Sequence, residues 1–265
     1  MIVSAGDGGW TLVRQVDHQD QCAAMARAWG GGGFAPLAHH GSVVAAAAMH
    51  DEGWRSWEHR PEVDGDGRPV DFPDIDRAVH VALYRAGIDA ACARDPRAGL
   101  LVSMHGAGLY RGRLGLDHVV QGSGARPPEV EAFLAHEDRR QERLRAALGG
   151  EGPGERAWAW AAYRQLQAWD LLSLALLWGR LADRDRIVLR RVPRDADDDA
   201  GVDIIVRPEG IGRARLSPWP FPGDSLSLPV AGRRIGPGPF TRHGDLAAAL
   251  DAAPWDTIDA EVRPG

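Results

Sequence analysis

The stretch Trp169-Asp170-Leu171-Leu172-Ser173-Leu174-Ala175-Leu176-Leu177-Trp178 sets a single carboxylate in an almost wholly apolar run. It lies inside residues 155–182, which are apolar nearly all round and therefore predict a helix at the centre of the fold. An ionised carboxylate without a partner is costly to bury. We therefore expect Asp170 to meet a positive charge in the core.

Five further side chains of metal-ligand type precede it along the chain: His18, His50, Asp51, His80 and His105. His80 is in helical register with the apolar Leu83 and Tyr84, and His105 follows Leu101 by four residues, so both rings are predicted to face the core. Imidazoles and carboxylates that point into one core must be satisfied there. A divalent metal does this better than mutual hydrogen bonding.

Two divalent ions, with Asp51 as the bridging carboxylate, would use all six side chains. Mixed imidazole and carboxylate ligation suits iron, manganese, zinc or cobalt, and the lack of a cysteine in the set argues against a structural zinc site. Cys22 and Cys92 fall in alanine-rich helical patterns and are interpreted as small core residues. A buried polar network without metal is the alternative interpretation.

The two ends of the chain differ from its middle. Residues 1–16 predict a β-hairpin around Gly6-Asp7-Gly8-Gly9, and Asp17 and Ser42 are predicted to cap the first two helices. From Arg186 onward, short alternating runs separated by Gly, Pro and Asp predict a small antiparallel sheet. The predicted fold is mainly α: a hairpin at 1–16, an all-helical metal-binding core at 17–185, and a β-rich appendage at 186–265 that the N-terminal strands could join.

Composition narrows the classes of partner. All 31 basic residues are arginine, which excludes lysine-based chemistry, and a net charge of −6 without a basic stripe argues against nucleic acid. The chain begins without a signal-like segment and has no run of 18 apolar residues, which predicts a cytoplasmic protein without a membrane partner. The expected partner is a small-molecule substrate.

The order His18, then His50-Asp51, then a distant Asp170 resembles the motif of the HD superfamily of helical metal-dependent phosphohydrolases. His80 and His105 are similar to the extra ligands of its dinuclear branch, which includes cyclic-dinucleotide phosphodiesterases and diiron oxygenases similar to myo-inositol oxygenase. The lysine that both dinuclear groups often place near the metals is missing. The segments Met49-His50-Asp51-Glu52-Gly53-Trp54 and Ser103-Met104-His105-Gly106-Ala107-Gly108-Leu109-Tyr110 look like a bacterial family of unknown function, a resemblance that spans nearly the whole chain.

The resemblance implies an HD-like helical core and a dinuclear hydrolase of a small phosphorylated compound, with the six side chains as ligands. Glu52, next to the His50-Asp51 pair, would carry a proton, and Arg111, together with Arg113, would bind the anion. A diiron oxygenase of a small hydroxylated substrate is the alternative activity, and a non-catalytic metal-containing sensor or binding module is a third. Hydrolysis is favoured because it is the commoner activity of the superfamily.

Overall fold

The computed structural model describes residues 1–6, 8–112, 126–149 and 152–265. Its α-helices are α1 (Gln15–Ala28), α2 (His40–Ala47), α3 (Arg55–Glu58), α4 (Arg77–Arg94), α5 (Pro96–Leu109), α6 (Pro128–Ala147), α7 (Pro153–Leu177), α8 (Gly179–Ala182) and α9 (His243–Ala252). Short 3-10 helices cover Glu52–Trp54 and Phe72–Asp74. The strands are β1 (Ile2–Gly6), β2 (Gly9–Val13), β3 (Ile187–Val192), β4 (Val202–Pro208), β5 (Arg213–Ser217), β6 (Leu226–Ser227), β7 (Val230–Ile235), β8 (Asp256–Ile258) and β9 (Glu261–Pro264).

The prediction of a mainly α fold, with an all-helical core and a small β appendage, is wrong. About 49% of the structure is helix and 18% is strand, and the strands form one sheet of four and one of five. The fold is therefore α/β. The error arose because the C-terminal segment supplies strands to two sheets, and pairing between distant strands leaves no local trace in the sequence.

The first sheet joins the two ends of the chain. Its order is β1-β2-β7-β8, and every neighbouring pair is antiparallel, with Trp10 of β2 opposite Ile235 of β7. The second sheet has the order β3-β4-β5-β9-β6, in which β9 runs parallel to β5 and antiparallel to β6. Two residues, Asp259 and Ala260, carry the chain from β8 in one sheet to β9 in the other.

Helix α7 is the central helix, as its apolar circumference predicts. It packs against α1, α2 and α5 on one side and against β3, β4 and β5 on another. Leu166, Trp169 and Ala175 are almost completely buried along it. Because α7 carries Asp170, every helix that packs against this segment can bring a side chain to the same carboxylate.

Two helices begin before their predicted caps. Helix α1 starts at Gln15 rather than after Asp17, because the carboxylate of Glu58 accepts a hydrogen bond from the backbone N–H of Gln15. Asp17 instead pairs with the guanidinium of Arg14. Helix α2 starts at His40, two residues before Ser42. A cap supplied from 43 positions away cannot be read from the local pattern.

A glycine contact sets the position of the turn that follows α2. A Cβ atom at Gly53 would overlap the carbonyl oxygen of Leu83, and one at Gly87 would press against the backbone of Gly53. The two glycines thus allow the segment after His50-Asp51 to lie directly on α4. This close approach brings Asp51 within reach of side chains on α4.

Among the described residues, no helix is both long and apolar enough to cross a membrane.

Candidate metal centre

The six predicted ligands come from five parts of the fold. His18 lies on α1, His80 on α4, His105 on α5 and Asp170 on α7, while the His50-Asp51 pair lies in the turn after α2. All six are buried, with at most 6% of any residue exposed. These titratable groups are therefore gathered where water cannot solvate them. Buried groups of this kind need hydrogen-bond partners or a bound metal ion.

Five of the six side chains converge on one point. The nearest oxygen of Asp170 to His18 is Oδ1, at 3.1 Å from Nε2, and Oδ1 also lies 3.9 Å from His50 Nε2. Asp170 Oδ2 faces His105 Nε2 at 3.7 Å. Asp51 Oδ2 lies 3.8 Å from His18 Nε2 and 3.5 Å from His50 Nε2. Three imidazoles and two carboxylates thus form one cluster.

Hydrogen bonds outside the cluster fix the tautomers of two rings. Gln21 Nε2 donates to the carbonyl of Leu228, so its Oε1 accepts the hydroxyl proton of Ser173. Ser173 Oγ must then accept from His18 Nδ1–H, at 2.7 Å. His50 Nδ1–H likewise donates to the carbonyl of Ala47, at 2.9 Å. In its neutral form, which metal binding requires, each ring is therefore left with a lone pair on Nε2 that faces the cluster.

These two bare nitrogens are only 3.3 Å apart. Two lone pairs cannot form a hydrogen bond, whereas two ligands of one metal ion with bonds of about 2.1 Å are about 3.0–3.4 Å apart. A single proton on Asp170 could satisfy His18, but it would leave His50 and His105 unsatisfied. Both ring nitrogens of His105 are buried, and neither has a hydrogen-bond partner among the described residues. The donor set therefore fits a divalent cation better than a network without metal.

Burial opposes the charged forms of both carboxylates and of two of the rings. It raises the pKa of Asp170 to about 6, and it also raises the pKa of Asp51. Burial lowers the pKa of His18 to about 4, against the opposing pull of Asp51, and it holds the pKa of His105 well below its usual value. His18 and His105 are thus held neutral and ready to act as ligands, and a bound cation would make both ionised carboxylates favourable.

His80 lies beside the cluster rather than in it. Its ring contacts Tyr84, with centroids 4.8 Å apart, and its Nδ1 is hydrogen-bonded to the hydroxyl of Tyr110. Trp54 packs against the same ring. Burial lowers the pKa of His80 to about 3. Among the described residues, the side chain that lies between His80 and Asp51 is Tyr84, whose hydroxyl donates to Asp51 Oδ1 at 2.9 Å.

The predicted proton carrier and anion ligand both have partners. Glu52 accepts hydrogen bonds from Arg55 and Gln19, and the Arg55 bond is the main reason that its pKa is lowered. Arg111 donates to both carboxylate oxygens of Asp138 at 2.7 Å. Arg113 lies outside the described residues.

Comparison with known proteins places the chain in a family. The sequence profile of DUF3891, a family of proteins of unknown function, matches residues 1–236. The chain belongs to this family. No curated protein and no solved structure matches the chain. All six predicted ligands lie inside the DUF3891 match, and residues 237–265 lie outside it.

Four further residues of this DUF3891 protein lie at the site, although the sequence did not point to three of them and Cys22 was interpreted as a small core residue. Gln19 accepts from the backbone N–H of Asp51, Ser173 orients His18, Tyr84 binds Asp51, and Cys22 Sγ lies 4.0 Å from His18 Nε2. Helical spacing was the available signal. Cys22 follows His18 by four residues on α1, and Ser173 follows Asp170 by three on α7.

The Ser173 contact gives a test of ring orientation. Ser173→Ala removes the acceptor that fixes His18 Nδ1–H, so we expect metal affinity to fall about 10–100-fold while the fold persists. Titration of the metal-free protein would measure the affinity. Ser4→Ala is the matched control, because the hydroxyl of this buried serine bonds backbone groups of Leu177 and Gly179 instead. Equal losses in the two variants would contradict the orienting role.

Proposed function

We propose that the protein is a metal-dependent hydrolase of a small phosphorylated compound, with an HD-like ligand set and a dinuclear centre. The observation that carries this proposal is the pair of bare Nε2 atoms of His18 and His50, 3.3 Å apart and flanked by Asp51 and Asp170. These four residues also follow the HD order along the chain. His105 would add a third imidazole on the far side of Asp170.

Divalent metal in such a site would lower the pKa of bound water and polarise a phosphoryl oxygen. The protein's part is to hold the ligands in place before substrate arrives. Ser173 and the carbonyl of Ala47 orient two rings, and Tyr84 fixes one oxygen of Asp51. The ion pair with Arg55 keeps Glu52 ionised, so Glu52 would support the site rather than donate a proton. It would do so through Gln19, which donates to Glu52 and accepts from the backbone N–H of Asp51.

A diiron oxygenase of a small uncharged substrate is the second candidate, and one observation favours it. The one predicted anion ligand that the structure describes, Arg111, is bound to Asp138, and a phosphate would have to displace that carboxylate. The ring contacts around His80 are aromatic, from Trp54, Tyr84 and Tyr110. Aromatic surroundings of this kind favour a hydroxylated, uncharged compound over an anion.

Metal content and two activity assays separate the candidates. The purified protein would be analysed for metal by elemental analysis, then loaded with manganese or zinc and assayed without oxygen on a panel of phosphoesters. Turnover there supports the hydrolase. Oxygen uptake by iron-loaded protein would support the oxygenase instead, and metal binding without either activity would leave a sensor. A wild-type protein that binds no added metal would contradict all three.

The raised pKa of Asp170 predicts how metal affinity depends on pH. Metal needs the ionised carboxylate, and the pKa of Asp170 in the metal-free protein is about 6. Below pH 6, binding must therefore release a proton, and affinity should fall about tenfold per pH unit. Above pH 7 it should level off. His18, with a pKa near 4, stays neutral throughout this range and adds no slope.

The raised pKa of Asp170 has the opposite effect on the stability of the metal-free fold, which falls as the pH rises. A carboxyl group whose pKa is raised on folding stabilises the fold below its ordinary pKa, and this contribution is lost as the pH rises through about 6. Added metal should consequently raise the melting temperature more at pH 7 than at pH 5. Calorimetric titration at pH 5, 6, 7 and 8 would measure the affinity, and scanning calorimetry at the same pH values would measure the melting temperature. An affinity that is flat from pH 5 to 7 would contradict the prediction.

A further inference from the structure

We propose that Asp170, rather than Asp51, is the carboxylate shared by two metal positions, and that these positions differ in strength. The stronger position would lie among His18 Nε2, His50 Nε2, Asp51 Oδ2 and Asp170 Oδ1. The weaker one would lie between His105 Nε2 and Asp170 Oδ2. The inference rests on the proposed metal centre and assigns its ligands.

The contacts of Asp170 divide between its two oxygens. On the Oδ1 side lie His18 Nε2 at 3.1 Å and His50 Nε2 at 3.9 Å, whereas His105 Nε2 faces Oδ2 at 3.7 Å. All three rings of the cluster therefore approach this one carboxylate, from both ends. A carboxylate with nitrogen ligands at each oxygen has the placement needed to join two metals.

Asp51 is placed differently. Its Oδ2 is the oxygen nearest to both His18 and His50, so both rings lie at the same end of the carboxylate. The other oxygen, Oδ1, accepts the hydroxyl proton of Tyr84 at 2.9 Å. Tyr84 is buried and is held close to this turn by the Gly53 contact with α4. Asp51 is thus directed to one metal position, although the sequence pattern favours it as the bridge.

His105 defines the second position. Its ring is 1% exposed, and in the part of the chain that the structure describes neither of its nitrogens has a hydrogen-bond partner, which is costly unless something binds there. Single ligand atoms of His105, His50 and Asp170 lie within 4.8 Å of one another. Among the described residues, the nearest nitrogen to Asp170 Oδ2 is that of His105, whereas His18 and His50 approach Oδ1 and Asp51 lies beside those two rings. Fewer protein ligands predict a weaker site.

Manganese titration of the metal-free full chain tests the assignment. Calorimetry would measure affinity, and electron paramagnetic resonance would count free and bound Mn²⁺. We expect two classes of site in the wild type, separated by about tenfold or more. His105→Ala should remove only the weaker class, Asp51→Asn should weaken only the stronger, and Asp170→Asn should weaken both. His59→Ala, at an exposed position at the end of α3, is the control for His105→Ala and should keep both classes.

Loss of both classes in Asp51→Asn, with one spared in Asp170→Asn, would make Asp51 the bridge and overturn the inference. Two sites of equal affinity would also overturn it, although the proposed hydrolase would survive. Wild-type protein that binds no Mn²⁺ would instead contradict the proposed function itself. Thermal unfolding of each metal-free variant checks its fold. Should Asp170→Asn not fold, Asp51→Asn still decides, because a bridging Asp51 predicts the loss of both classes.

Discussion

A chain that carries His50→Ala is expected to fold but to lose metal from the stronger position, and to lose about a hundredfold in phosphoester hydrolysis. The His50 ring lies 3.3 Å from His18 Nε2 and 3.5 Å from Asp51 Oδ2, and its centroid is 5.0 Å from that of His105. It therefore touches every other nitrogen ligand in the cluster. Without the His50 ring, a bound cation would lose the nitrogen ligand at the centre of the cluster.

Metal per chain, by elemental analysis, and turnover of an accepted phosphoester would measure the loss. His59→Ala is the control, because this nearby histidine is exposed at the end of α3 and should change neither quantity. Thermal unfolding would show whether the variant is folded. A His50→Ala protein with full metal content and normal turnover would remove the basis of the proposed function.

Helical periodicity explains which site residues could be found from the sequence. His80 and His105 were placed on buried faces because apolar neighbours recur at offsets of three and four, and both rings are buried in the structure. The same spacing relates Cys22 to His18 and Ser173 to Asp170, but small residues at those positions also fit ordinary core packing. Periodicity reports which face is buried, and it cannot tell a ligand's partner from a core residue.

Contacts between distant segments explain what the sequence could not predict. Pairing of β2 with β7 joins residues more than 200 positions apart, and the Glu58 carboxylate caps α1 from a different helix. Tyr84 comes between His80 and Asp51 only because Gly53 lies on the backbone of α4. Each of these depends on the packing of whole elements, so the α/β class and the position of His80 follow from tertiary structure rather than local pattern.

Removal of residues 237–265 is expected to unfold the chain, even though the DUF3891 match ends at residue 236. This segment supplies β8, β9 and α9, and it buries Leu246, Leu250, Ile258 and Val262. Four such side chains contribute about 6–12 kcal/mol, at roughly 1.5–3 kcal/mol each. That is comparable to the whole stability of a domain, about 5–15 kcal/mol. Loss of β9 would also leave the edges of β5 and β6 unpaired and prone to aggregation.

Two single substitutions in β9 test the contribution of this strand to stability without shortening the chain. Val262 is completely buried between β5 and β6, whereas the next residue, Arg263, points to solvent. Val262→Gln should cost roughly 3–5 kcal/mol, because it removes apolar burial and puts an amide in the core. Arg263→Gln introduces the same side chain one position away and should change stability by less than about 0.5 kcal/mol. Urea unfolding would measure both, and equal midpoints for the two variants would mean that β9 is dispensable for the second sheet.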